Sequence, residues 1–257
     1  AMTQLRAVLF DLDNTLIDWS NHSVDWHELR CSHLRPVLDR LAEAGYKVPP
    51  VEEVAEIYVT CNEEAWAASC EPDWVAPRQL AVLGQTLRLV GIEIDEAELL
   101  DLQRLYAWSV IPGVEPYPDA ISVLETLRAH GVRTGLVTNA SSPMWMRDRE
   151  LEHYGLLEYL DVRITAGDAG HLKPHPRAFQ WVLGELGIRP EEAVMVGDQL
   201  HDDIGGAQRV GMRGVWIQRY EGDQYRESDG VKPDATIRQL SELLPCLDEW
   251  FPGWRSS

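Results

Sequence analysis

Cysteine, basic residues and long apolar runs are all scarce in this sequence, and each shortage removes a class of protein. The four cysteines among 257 residues are Cys31, Cys61, Cys70 and Cys246. They include no C-x-x-C pair and no zinc-like spacing, which argues against a disulfide scaffold or thiolate metal site and predicts buried, reduced thiols. No uninterrupted apolar stretch approaches the ~20 residues of a membrane span. The first residues also lack a basic segment followed by an apolar one, so a soluble, cytoplasmic protein is expected. Lys and Arg number 23 against 42 Asp and Glu, a formal net charge of -19. Such a polyanion gains nothing by approaching nucleic acid or an anionic membrane, and neither is expected as a partner. Most of the excess acid is read as solvated helix surface.

The length suffices for one large domain, or for a core with a modest second domain. Arg6 to Phe10 is a continuous run with no helical period, ended by Asp11, and reads as a buried parallel strand. From Asp18 to Ile111 the pattern is helical: Asp25 to Ala44, Val51 to Ser69, Pro77 to Val90 and Asp95 to Trp108. Pro36 is expected to break or kink the first of these, and Asp95 with Glu98 has the spacing of a capping box. Beyond Pro112-Gly113 and Pro116-Tyr117-Pro118, helices and strands alternate: helix Asp119 to His130, strand Arg133 to Val137, a helix from Ser142-Pro143 to Gly155, strand Val162 to Thr165, helix Pro176 to Leu186, strand Ala193 to Val196, helix Asp202 to Val210 and strand Gly214 to Ile217. Ala235 to Ile237 reads as an edge strand. This order predicts an α/β protein with a doubly wound parallel sheet formed by residues 1–17 and 112–257, and an inserted all-helical domain at 18–111.

The chemistry lies where strands turn polar. Asp11-Leu12-Asp13-Asn14-Thr15 follows the first strand, Thr138-Asn139 the second, and Gly197-Asp198 to Asp202-Asp203-Ile204 the fourth, with Lys173-Pro174 in a loop between. Ligands in open α/β sheets bind beyond the carboxyl ends of the strands, so these pieces are expected to converge. Asp11 and Asp13, two positions apart on extended chain, point to one side. At ~4 Å and an effective dielectric near 20, two such carboxylates repel by about 4 kcal/mol, and Asp198 and Asp203 add to the imbalance. Mg²⁺ relieves it, because it takes one or two carboxylates together with water and phosphate oxygens. A carboxylate can attack phosphorus while its neighbour donates a proton to the leaving alcohol. Thr138 and the backbone N–H of Asn139 can bind phosphate oxygens, and Lys173 supplies a cation beside the nucleophile.

In their order and placement these four pieces resemble the motifs of the haloacid dehalogenase superfamily, over essentially the whole chain. The resemblance implies a Rossmann-like core, Asp11 as nucleophile and Asp13 as general acid and then base. It implies Mg²⁺ held by the Asp11 carboxylate, the Asp13 main-chain carbonyl and Asp198. It also implies phosphate held by Thr138 and Lys173, Asp203 as an acceptor for metal-bound water with Asp202 beside it, and a helical cap that closes over the site. The expected activity is Mg²⁺-dependent hydrolysis of a small phosphorylated metabolite through an aspartyl-phosphate. Haloacid dehalogenases and phosphonate-cleaving relatives depart from Asp at the position of Asp13, which ranks them lower. A phosphate-transferring mutase and a non-catalytic metabolite-binding protein remain as alternatives, as do monomer and homodimer. The leaving group is open, because cap residues decide it.

Other residues receive plainer readings. His22, His27 and His33 are expected at the surface, His171 and His175 in a solvated loop, and Arg78 in a helix-surface ion pair. Trp19, Trp26, Trp66, Trp74 and Trp108 are expected to pack between cap helices. Gly197 is expected to allow close approach of the backbone.

Overall fold

The computed structural model describes residues 4–106, 110–219 and 230–256. The first half of the chain contains β1 (Ala7–Phe10), β2 (Ile17–Asp18), α1 (Trp26–Glu43), α2 (Val51–Ala67), α3 (Gln79–Leu89) and α4 (Glu96–Tyr106). There follow β3 (Glu115–Pro116), α5 (Ala120–Ala129), β4 (Arg133–Thr138), α6 (Met144–His153), β5 (Val162–Thr165), α7 (Ala166–Ala169) and α8 (Pro176–Leu186). The chain then forms β6 (Ala193–Gly197), α9 (Gly206–Arg209), β7 (Arg213–Ile217), β8 (Ala235–Ile237) and α10 (Leu243–Trp250).

Six strands form one parallel sheet in the order β5-β4-β1-β6-β7-β8. Strand order reverses around β1, and that is where an open α/β sheet leaves a crevice. Alternation along the strands divides the interior. Val8, Phe10, Val194 and Val196 face a cluster with Leu124, Leu127, Leu243 and Leu247 from α5 and α10. Ala7, Leu9, Ala193 and Met195 face Phe179, Val182 and Leu183 from α8. Successive side chains of a strand point to opposite faces, so both faces require helices, and both have them.

The four inserted helices bury a separate cluster built on Leu34, Val37, Leu41, Val54, Tyr58, Leu83, Leu87 and Leu102, with Met146 of α6 joining it. The strands entering and leaving the insertion run side by side: β2 pairs antiparallel with β3, and Ser23 N–H donates to the Pro112 carbonyl at 3.3 Å. Gly113 has φ +84, and a β-carbon there would collide with the Asn21 carbonyl. On the far side, the loop before α3 is tied to the sheet's loops: Leu172 N–H donates to Trp74 O at 2.7 Å, Ala76 N–H to Gly170 O at 3.1 Å, and Gln79 N–H to Ser141 O at 3.0 Å.

Several expectations change. Helix α1 continues through Pro36. Leu34, Val37, Leu38 and Leu41 bury its inner face while Pro36 lies on the exposed one, so packing outweighs the roughly 3 kcal/mol a central proline costs. The last two residues of the predicted helix Asp95 to Trp108, 107 and 108, lie outside the described residues. Asp95 does accept the Glu98 N–H at 2.9 Å. The helix expected from Asp202 begins instead with a π-helical turn at Leu200–Gly205. His33 is buried, and burial followed by the charge of Arg30 pushes its pKa down to about 4. All four cysteines are free thiols, but Cys70 is exposed. Trp26 and Trp66 are also partly exposed, and among the described residues no tryptophan belongs to the buried cluster of the inserted helices. Among the described residues, no helix is long and apolar enough to cross a membrane.

Candidate active site

The first strand delivers Asp11 into the crevice. Its N–H extends the ladder by donating to Val196 O at 2.9 Å, and the chain then coils, with the Leu12 carbonyl accepting from Leu16 and Ile17 at 2.9 and 3.1 Å. Asn14 occupies the left-handed region at φ 58, which asparagine tolerates better than most residues. Asp11 and Asp13 both line a cavity of about 170 Å³, together with Asn14, Thr138, Asn139, Lys173, Asp198, Gln199 and Asp202. Four stretches of sequence therefore meet beyond the carboxyl ends of β1, β4 and β6.

Lys173 is the cation at the floor, and all three of its N–H donors are used. Its Nζ lies 2.5 Å from Asp11 Oδ1 and 2.7 Å from Asp203 Oδ1, and donates to the Val137 carbonyl at 2.7 Å. Burial works against its charge, but Asp11 and Asp203 outweigh it and hold its pKa above the usual lysine range. The lysine's backbone is clamped by a side chain from another motif: Asn139 Oδ1 accepts Lys173 N–H at 2.7 Å, and Asn139 Nδ2 donates to Lys173 O at 3.2 Å.

Carboxylates outnumber cations at this floor. Asp11, Asp198 and Asp203 are buried, and one oxygen from each lies within 4.8 Å of the others. Burial raises the Asp11 pKa well above its ordinary value, Lys173 opposes the rise, and Asp203 and Asp198 reinforce it. Burial, then Asp203, raises Asp198 to about 7 against the pull of Gln199, whose side-chain amide donates to it at 2.8 Å. Three buried acids facing one buried lysine form an oxygen donor set short of positive charge, and a hard divalent cation fits that deficit.

Asp203 has two fixed partners, Lys173 Nζ and the Gln199 N–H at 3.0 Å. A β-carbon at Gly197 would collide with the Asp203 carboxylate, which gives the glycine its reason. Asp202 is more open; it sits 2.9 Å from His201 Nδ1 and accepts from Asn139 Nδ2 at 3.4 Å.

Asp13 has a different setting. Trp19 Nε1 and Arg147 Nη2 both donate to its Oδ1, each at 2.8 Å. Arg147 in turn places Nε 2.9 Å from Glu150 Oε2. Sequence reasoning missed Arg147 and Glu150, read Trp19 as packing, and gave Asn139 only a backbone role. A signal was present in α6: Arg147, Glu150, Leu151 and Tyr154 fall at i, i+3, i+4 and i+7, so two charged residues share the buried stripe of the helix.

A profile described as haloacid dehalogenase-like hydrolase matches residues 5–211. The chain is 32% identical over 248 residues to a glyceraldehyde 3-phosphate phosphatase of Methanopyrus kandleri, covering 95% of this chain and 98% of that one. It is also 32% identical over 254 residues to a ribulose-1,5-bisphosphate 5-phosphatase of Halopiger xanaduensis, covering 95% and 96%. Among solved structures it resembles a 2-haloacid dehalogenase of Pseudomonas syringae pv. Tomato, with 28% identity, a TM-score of 0.58 and coverage of 96% and 100%. Since the matched span contains the aspartates after β1, the Thr138-Asn139 step, Lys173 and the acidic loop after β6, the chain belongs to the haloacid dehalogenase-like hydrolases.

Proposed function

We propose that this protein is a phosphatase that hydrolyses the phosphate monoester of a small metabolite through an aspartyl-phosphate on Asp11. One observation carries the reading: Asp11 is fixed by a buried lysine at the floor of a cavity that Asp13, Thr138 and Asp198 also line. The cavity, about 170 Å³, suits a phosphoryl group and leaves the rest of the substrate to the surface above it. Phosphatase names among the relatives at about one-third identity agree with this reading. The dehalogenase neighbour shares the fold, but the acid–base residue needed for ester cleavage stands here as Asp13.

In this scheme Asp11 attacks phosphorus, the bond to the ester oxygen breaks, and Asp13 gives that oxygen its proton. Water then attacks the phosphoryl group, Asp13 takes a proton from it, and the bond to Asp11 breaks. Lys173 neutralises the Asp11 carboxylate and the phosphoryl oxygens, while Thr138 and the Asn139 backbone hold the phosphate without adding charge. The Asp11 carboxylate, the Asp13 main-chain carbonyl and Asp198 would hold Mg²⁺, which would supply positive charge to the phosphoryl group. Asp203 would serve as an acceptor for water on that ion, with Asp202 beside it. Residues 18–111 act as the cap, and backbone hydrogen bonds at residues 74–79 tie them to the sheet's loops at Ser141, Gly170 and Leu172.

The test is phosphate release from a panel of phosphorylated metabolites with and without Mg²⁺. Turnover of one ester class near roughly 10 s⁻¹, lost with chelator, is the expected result and names the leaving group. Halide release from 2-haloacids that is indifferent to chelator would replace this reading with dehalogenation.

A further inference from the structure

A buried charge cluster lies outside the residues assigned so far. Arg147 and Glu150 sit on consecutive turns of α6, with side chains only 7% and 0% exposed. Burying an ion pair gives little stability compared with apolar packing of the same volume, so such a pair calls for another purpose. This one reaches the site: Arg147 Nη2 donates to Asp13 Oδ1 at 2.8 Å, while Nε lies 2.9 Å from Glu150 Oε2. The Trp19 indole N–H donates to the same Oδ1 at 2.8 Å. Both of these bonds fall on one oxygen of Asp13, and Oδ2 is left to exchange a proton.

We propose that Arg147, braced by Glu150, is the positioning residue for Asp13: it fixes Oδ1 so that Oδ2 meets the oxygen of the leaving group. The inference rests on the phosphatase reading and on the acid–base role of Asp13. A carboxylate on a short side chain has two free torsions, and holding one oxygen removes the misaligned orientations from which no proton reaches the ester oxygen. Arginine suits the task because one planar guanidinium reaches both carboxylates, hydrogen-bonded to Asp13 and ion-paired with Glu150; lysine carries the charge without that plane. In the step served, the proton passes from Asp13 Oδ2 to the ester oxygen as its bond to phosphorus breaks and the bond from Asp11 forms.

The readout is dependence on the leaving group, which a purely structural role would not move. p-Nitrophenolate departs without a proton, whereas the benzyl alkoxide needs one. In Arg147→Met and in the nearly isosteric Glu150→Gln, kcat/KM for benzyl phosphate is expected to fall about 10²-fold while that for p-nitrophenyl phosphate changes less than about threefold. Arg147→Lys should recover part of the benzyl phosphate loss. If Arg147→Met does not fold, Glu150→Gln carries the same comparison. Equal losses on both esters, or no loss on either, overturn the positioning role while leaving the phosphatase reading intact. Wild-type protein that cleaves neither ester sinks that reading, and this inference with it.

Discussion

Asp11 and Asp13 are two residues apart in sequence and line the same cavity, yet their surroundings differ in kind. The Asp11 side chain is 9% exposed and bonded to a buried lysine that also holds Asp203. The Asp13 side chain is 37% exposed and receives an indole and a guanidinium on one oxygen. In the proposed scheme identical carboxyl groups receive different work from their environments: a fixed, charge-compensated nucleophile and an accessible proton carrier. The division is built by remote sequence. Lys173 comes from a loop 162 positions away and Arg147 from a helix 134 positions away.

The largest way to break this comparison is to remove the proposed nucleophile. Asp11→Asn should lower kcat by about 10⁴-fold or more on every ester, as loss of an attacking group does elsewhere. Steady-state phosphate release checks it, and equal losses from Asp11→Asn and Trp19→Phe would erase the distinction between the two sites.

Lys173→Met should come next. It leaves Asp11 and Asp203 buried without their shared cation, at a cost of about 3–5 kcal/mol in unfolding free energy, and should reduce kcat about 10²-fold. Urea titration in chelator measures the first effect, and initial rates measure the second.

The third test uses pH. Asp198, raised by burial and Asp203 to about 7, retains its proton in the folded, metal-free protein after the unfolded chain, with an ordinary value of about 3.9, has lost it. Its contribution to stability is therefore fully present below the unfolded value and disappears as pH rises through about 7. Thermal unfolding in chelator should show that decline. Added Mg²⁺ should raise Tm more at pH 7.5 than at pH 5, where protons compete for the carboxylates. A larger Mg²⁺ effect at the lower pH would contradict the assignment of Asp198 to the metal.

The smallest effect belongs to Trp19→Phe, which deletes one donor to Asp13 and leaves Arg147 in place. A loss of about threefold in kcat is expected, with stability changed by roughly 1 kcal/mol. A loss matching that of Arg147→Met would mean that the indole, not the guanidinium, sets the orientation of Asp13.

The sheet was legible because buried parallel strands are written as local apolar runs, and three of the runs here lead into a chemically distinctive residue: Asp11, Thr138 or Asp198. Their convergence could be expected from the position of strand ends alone. The partners of Asp13 could not. Arg147 reads as an ordinary charged helix residue until the packing of α6 shows that its face is buried, and Trp19 reads as core until a carboxylate is found at its N–H. Similar blindness explains Pro36, since the sequence shows the lost hydrogen bond but not the four leucine and valine contacts that outweigh it. It also explains the π-helical turn at Leu200–Gly205. That turn accompanies an Asp203 carboxylate bonded to both Lys173 and the Gln199 N–H, a tertiary demand with no local signature.

The division of labour between the two aspartates is tested most directly by mixing Asp13→Asn with p-nitrophenyl phosphate and Mg²⁺ and following nitrophenolate on the millisecond scale. The leaving group needs no proton, but water attacking the phosphoenzyme needs a base. The account predicts a burst of one nitrophenolate per active site, slow turnover afterwards, and a phosphoryl group recovered on the peptide that carries Asp11. Linear release at the wild-type rate, or a phosphoryl group on another residue, would contradict it.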